Sequence, residues 1–304
     1  MPRAAPELLR RQRLRRRKGL SLHDRAVTLK TRIRYFVAVS ALLPALEKTK
    51  DDIDDFLIAW IDLQYVQGAS ITSVADALSG LHHYLPWSRG KIRGAWKLYG
   101  VWRKLEKPKQ APPFPVNVAE ALVGRCVDLE DLRLALCLCL GFWGMLRTGE
   151  IFDVKFKHLL LGKENMIVRL GDTKTGLRRQ VDENVIIDHV PTMMIARTLF
   201  DIGVSRHEHV WGESKEQFRE GFRQLLKFFH LKASFRPYSL RRGGATEDFR
   251  LHGLMERSLL RGRWGSSFAA RQYIQEGLSM LTKLSLPPRS LPLLSYYRSL
   301  LALH

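Results

Sequence analysis

A chain of 304 residues that is 45% hydrophobic has material for a sizeable core and for two domains, and its 50 Lys and Arg against 30 Asp and Glu leave a net charge of +20. Such an excess implies a polyanionic partner, of which nucleic acid is the commonest. No run of about 18 uncharged apolar residues predicts a membrane span, and Cys126, Cys137 and Cys139 form no disulfide framework, so a reducing, intracellular setting is expected, the nucleus in a eukaryote and otherwise the cytoplasm or nucleoid.

Residues 1–20 form a basic arm with no apolar signal core behind its charges. Its run from Arg10 to Lys18 reads as a phosphate-binding arm, a nuclear-import signal or a solvated tail. Residues 21–105 then carry helical periodicity throughout, which predicts an all-α domain. Ile53, Phe56, Leu57, Trp60, Ile61 and Tyr65 make one stripe behind Asp51 and Asp52, acids placed where a helix N-terminus favours them. Gly68 closes that helix. Another starts at Ser70 or Thr72, carries Val74, Ala77, Leu78 and Leu81, and is interrupted at Leu85-Pro86. Its adjacent His82 and His83 face different ways and are expected at a surface or interface, with no metal role. The next helix interleaves Ile92, Trp96, Tyr99 and Trp102 with Lys91, Arg93, Lys97, Arg103 and Lys104.

Residues 106–116 hold four prolines and no periodicity, the mark of a semi-rigid linker. Such a tether would let two basic lobes close on a DNA duplex from opposite sides. A second domain, 117–285, opens with a helix near Asn117 and continues with an apolar helix over Leu132–Leu146, in which Cys137 and Cys139 point to different sides and so cannot share a metal. Arg147 follows at once, with Glu150 three residues on; a helix C-terminus welcomes a cation, so a simple cap is one reading of that pair. Between 156 and 188 the period falls towards two. Strands are expected over His158–Leu161, Met166–Leu170 and Arg178–Ile187, in a small antiparallel sheet whose second turn carries Lys174. Helices return over Pro191–Asp201 and Lys215–Phe229, and the His207-Glu-His209 triplet reads as a surface loop. Residues 286–304 are an apolar tail that needs either a partner protomer or its own domain to pack on.

The stretch from Phe235 to Gln275 places Tyr238 and Arg241, then Trp264 and Tyr273, around a helical middle. Arg147 with Glu150, Lys174, Tyr238-x-x-Arg241, Trp264 23 residues later and Tyr273 nine beyond that stand in the order of the tyrosine recombinase (phage-integrase-type) family, which this chain resembles. The words Leu-Arg-Arg-Gly-Gly-Ala-Thr and Gly-Arg-Trp-Gly-Ser resemble the family too. The likeness covers residues 117–275 at motif level and, in layout, the helical unit before them.

The resemblance implies a mostly α fold with a small antiparallel sheet, an all-α core-binding domain followed by an α+β catalytic domain. It also implies DNA strand breakage and rejoining through a 3′-phosphotyrosine, on double-stranded DNA, by a homo-oligomer with four protomers on paired sites and no cofactor or metal. Tyr273 takes the place of the nucleophile and Lys174 that of the general acid. Arg147 and Arg241 are suited to clamp the non-bridging oxygens, since guanidinium is bidentate and permanently charged. Trp264 would donate its indole N–H to a phosphate oxygen, and Glu150 would hold Arg147. Tyr238 departs from the pattern, which has histidine there; a phenol of pKa about 10 is a poor base at neutral pH. A weakened or inactive DNA-binding descendant of a mobile element is therefore an alternative, and the same phosphotyrosine chemistry would also serve a type IB topoisomerase-like enzyme.

Overall fold

The computed structural model describes residues 26–46, 53–106, 110–171 and 183–302. The chain divides into two compact units at the Lys109–Gln110 junction. The basic arm, Asp51, Asp52 and Lys174 lie outside the described residues, as do residues 107–109 of the Pro-rich stretch.

The first unit is helical: α1 (Leu29–Ser40), α2 (Leu43–Leu46), α3 (Ile53–Val66), α4 (Ile71–Tyr84) and α5 (Arg93–Leu105). The Ser70 hydroxyl accepts the Thr72 N–H and caps α4, so of the two starts read from the sequence it is the one used. Leu57, Ile61, Val74, Leu78, Leu81 and Ile92 form the core. Nothing on Ile92 can cap α5, and the acceptor comes instead from α3, where the Asp54 carboxylate takes the Gly94 and Ala95 N–H groups at 2.8 Å each. One carboxylate thus satisfies two orphan donors and fixes α5 against α3. Lys91, Arg93, Lys97, Arg103 and Lys104 remain exposed on and beside α5. His83 is buried, contrary to expectation, because its ring fills the gap between Tyr35 and Tyr84.

In the second unit α6 (Val116–Asp128), α7 (Leu132–Phe142), α9 (Val190–Asp201), α10 (Lys215–Phe228) and α11 (Tyr238–His252) surround an apolar core with α7 at its centre. The short α8 (Thr148–Asp153) precedes three antiparallel strands in the order β1 (Leu159–Leu161), β2 (Met166–Leu170) and β3 (Glu183–Ile187). Their register pairs Leu160 with Ile167 and Val168 with Val185. Alternate β3 residues, Glu183, Val185 and Ile187, point inward. Phe114, from the Pro-rich stretch, is buried here and stacks on Phe235 at 4.3 Å between ring centres.

Helices α12 (Met255–Gly262), α13 (Ser267–Arg271) and α14 (Glu276–Leu284) lead to α15 (Ser290–Ala302), the apolar tail. The tail packs on its own unit, along α6, burying Leu294, Tyr297 and Leu301. Each contributes roughly 1.5–3 kcal/mol relative to exposure. The approach is close enough that a Cβ on Gly124 would stand 1.9 Å from the Tyr297 carbonyl oxygen. Among the described residues no helix is long and apolar enough to cross a membrane.

Candidate active site

The apolar helix predicted to run to Leu146 stops at Phe142. Met145 takes a left-handed φ of 48°, and the Leu146 N–H turns back to the Leu140 carbonyl at 3.1 Å. That turn presents the Met145 carbonyl to the interior, where Arg241 and Arg263 both donate to it. Arg147 consequently does not close the apolar helix. It is the N-cap residue of α8, and the Glu150 carboxylate accepts both its backbone N–H, at 2.8 Å, and its guanidinium. Burial works against the Arg147 charge, but pairing with Glu150 more than restores it and the pKa is raised.

Arg241 is on the first turn of α11 and is wholly buried. The Gly-Gly pair makes this possible: a Cβ on Gly244 would lie 1.9 Å from the Phe142 carbonyl oxygen, so only glycine lets α11 lie against the end of α7. From there the guanidinium reaches the carbonyls of Met145 and, at 2.6 Å, Gly262. Its Nε has no partner among the described residues. Burial, reinforced by repulsion from Arg263 and Arg147, lowers its pKa to about 10, which still leaves it charged at neutral pH. Asp248, further along α11, takes the Ser258 hydroxyl at 2.7 Å and faces Arg257 and Arg261, tying α12 in place so that Gly262 and Trp264 meet Arg241.

Trp264 follows α12, buried, with its ring 4.8 Å from that of Tyr273. Tyr273 lies in the turn after α13, its backbone N–H on the Ala270 carbonyl at 2.8 Å and its carbonyl accepting from Thr246. The Tyr238 hydroxyl donates to the Tyr273 hydroxyl at 2.5 Å. Burial would push the Tyr273 phenol up, but the bond from Tyr238, the Arg241 charge, hydrogen bonding from Trp264 and the Arg147 charge outweigh it, and the pKa is lowered. Tyr238 moves the opposite way: burial, then its bond to Tyr273 and the Tyr273 charge, drive its pKa well above the ordinary phenol value. Tyr238 therefore stays protonated and acts as a donor. Trp264, expected to donate to a phosphate, packs its ring against that of Tyr273.

Arg147, Glu150, Tyr238, Arg241, Trp264 and Tyr273 are thus brought together from four segments. Two residues at the same place were not singled out from the sequence. Arg242 is buried and donates to the Gln110 side chain at 2.7 Å and to the Gln272 carbonyl at 3.0 Å, beside the Tyr273 turn. Arg263 is buried between Glu150 (2.7 Å) and Glu183 (3.4 Å). Each is adjacent in sequence to a residue that was singled out, and in a strongly basic chain nothing local separates a buried arginine from a solvated one.

The fold is similar to that of the XerH site-specific recombinase bound to palindromic difH substrate in a post-cleavage complex, with a TM-score of 0.56 and 14% identity over 79% of this chain and 74% of that one. Weaker likenesses are to XerA recombinase (TM-score 0.47, 17% identity, 86% of this chain and 93% of that one) and to a pre-cleavage complex of XerH with difH substrate (0.46, 13%, 73% and 67%). No protein-family model and no curated protein matches the chain by sequence. An all-helical unit followed by a helical unit built around a three-stranded antiparallel sheet is, in this chain, the fold of the tyrosine recombinases.

Proposed function

We propose that this chain breaks and rejoins double-stranded DNA through a covalent 3′-phosphotyrosine at Tyr273, as a site-specific recombinase. The observation that carries this reading is a phenol whose pKa is lowered by two guanidiniums and a donated hydrogen bond, on a chain with a net charge of +20. Around Tyr273, Arg147, Arg241, Arg242 and Arg263 face Glu150 and Glu183, an excess of positive charge that a phosphodiester would offset. Arg241 still has a donor to offer, and a buried cation whose hydrogen bonds among the described residues go to carbonyls gains from an anion.

In the proposed step the Tyr273 oxygen bonds to phosphorus, and the bond from phosphorus to the 5′ oxygen breaks. The 5′ oxygen leaves as a hydroxyl, taking up one proton for the one the phenol loses. The phosphoester is conserved, so rejoining is the same step reversed and needs no nucleotide cofactor. Arg147 and Arg241 would bind the non-bridging oxygens, where charge grows as the nucleophile adds. Tyr238 supports the phenolate as a donor, and Lys174 would protonate the leaving oxygen. The first unit, with its exposed cations on and beside α5, would hold the duplex as the core-binding domain, and the second would carry the chemistry.

The test is covalent capture. Duplexes selected by binding from random-sequence DNA are nicked so that the released fragment diffuses away, and the products are run on a denaturing gel. A protein–DNA adduct in the wild type that is lost in Tyr273→Phe supports the proposal. Binding with no adduct on any selected duplex refutes it, and relaxation of supercoiled plasmid without paired sites would identify a topoisomerase instead.

A further inference from the structure

We infer that Arg263 is a positioning residue that sets the orientation of both phosphate-directed arginines, Arg147 and Arg241, by holding the acceptors those arginines use. The inference rests on the strand-breaking reading of the site and adds to it a residue that touches neither the phenol nor the phosphate. Glu150 is the partner of Arg147, and its Oε2 accepts from both the Arg147 backbone N–H and, at 2.7 Å, the Arg263 guanidinium. The Met145 carbonyl is a partner of Arg241, and it lies 3.5 Å from the same Arg263 nitrogen. One buried guanidinium therefore reaches both anchors. Its Nε stands 3.4 Å from Glu183, the first residue of β3, so the sheet is tied to the same point. Lys174 precedes that strand by nine residues in the sequence.

The backbone adds an independent argument. Arg263 has φ of 56°, in the left-handed region that favours glycine and is strained for an L residue. What the side chain does holds it there: Nη2 donates to the Glu150 carboxylate and the Met145 carbonyl, while Nε stands 3.4 Å from the Glu183 carboxylate. Burial lowers the Arg263 pKa, and the two carboxylates oppose that shift. Arg241 and Arg147 lower the Tyr273 phenol, with Arg242 also beside it, and Arg263 reaches Tyr273 through the first two.

The test needs a readout that folding alone would not move, and the Tyr273 titration supplies it without DNA. Protein labelled with carbon-13 at the tyrosine ζ position gives one resonance per phenol, and Tyr273 is identified by its loss in Tyr273→Phe. Its midpoint is compared in the wild type, in Arg263→Gln and in the double variant Arg263→Gln with Glu183→Gln, which removes one charge of each sign and leaves no orphaned carboxylate at position 183. Urea unfolding shows which variants are folded. Facing Tyr273 in all of them are Tyr238, Arg241, Arg242, Arg147 and Trp264. Loosened arginines raise the Tyr273 midpoint in both variants and slow adduct formation on the selected nicked duplex by about 100-fold, the penalty for a misplacement of about 1 Å. An unmoved midpoint together with an unchanged adduct rate in the folded double variant overturns the inference. A wild type that forms no adduct refutes strand breakage instead, and the titration still decides the role of Arg263.

Discussion

Replacing Tyr238 by phenylalanine removes a single hydroxyl, the one that donates to Tyr273 at 2.5 Å, and leaves a ring of nearly the same shape. When Tyr273 is ionised that bond is charge-assisted and contributes about 1.5–3 kcal/mol. At about 1.36 kcal/mol per decade this corresponds to a loss of roughly 10- to 150-fold in the phenolate population at neutral pH. The sign follows from the direction of the shift: Tyr273 lies below an ordinary phenol partly because of Tyr238, so the variant's midpoint moves up and its rate profile moves to higher pH. Above both midpoints the two proteins are equally ionised and their rates should converge. The assay is single-turnover adduct formation on a nicked duplex across pH 6–10. No loss below both midpoints would refute the assignment of Tyr238 as the donor that supports the nucleophile.

Gly244→Ala places a methyl group 1.9 Å from a main-chain oxygen that cannot step aside, so α11 must move off α7; about 3 kcal/mol of stability should be lost, read from the urea midpoint, and a loss below about 1 kcal/mol would contradict the close-approach argument. Burial pushes the Glu150 carboxyl up, but Arg263 and the bonds to Arg147 outweigh it, so its folded pKa is below the unfolded value of about 4.3. The stability it contributes is therefore complete above that value and lost as pH falls through the folded one. Glu150→Gln should cost on the order of 2 kcal/mol at pH 7, with the deficit closing as pH drops below 4; a deficit independent of pH in denaturant melts would argue against the ion pairs.

Helices, strands and their order were legible in the sequence because periodicity and turn chemistry are local. The stripe from Ile53 to Tyr65, the Ser70 cap and the alternation along Met166–Leu170 need only their neighbours to be read, and the fold class followed from them. The order of Arg147, Tyr238, Arg241, Trp264 and Tyr273 was legible for the same reason. What the linear pattern does not encode is direction. It could not place Arg147 at the start of a helix, because the stop at Phe142 is made by a left-handed Met145 inside an otherwise apolar run. Nor could it show that Tyr238 and Tyr273, 35 residues apart, share a hydrogen bond, or that Arg263 is buried between two carboxylates. Those facts depend on how α11 and α12 settle on α7, which is set by glycine contacts and buried charge. Local periodicity and motif order yield the elements and the candidate residues; long-range packing sets which arginines are buried, what each one holds, and that the residue in the histidine position is a donor.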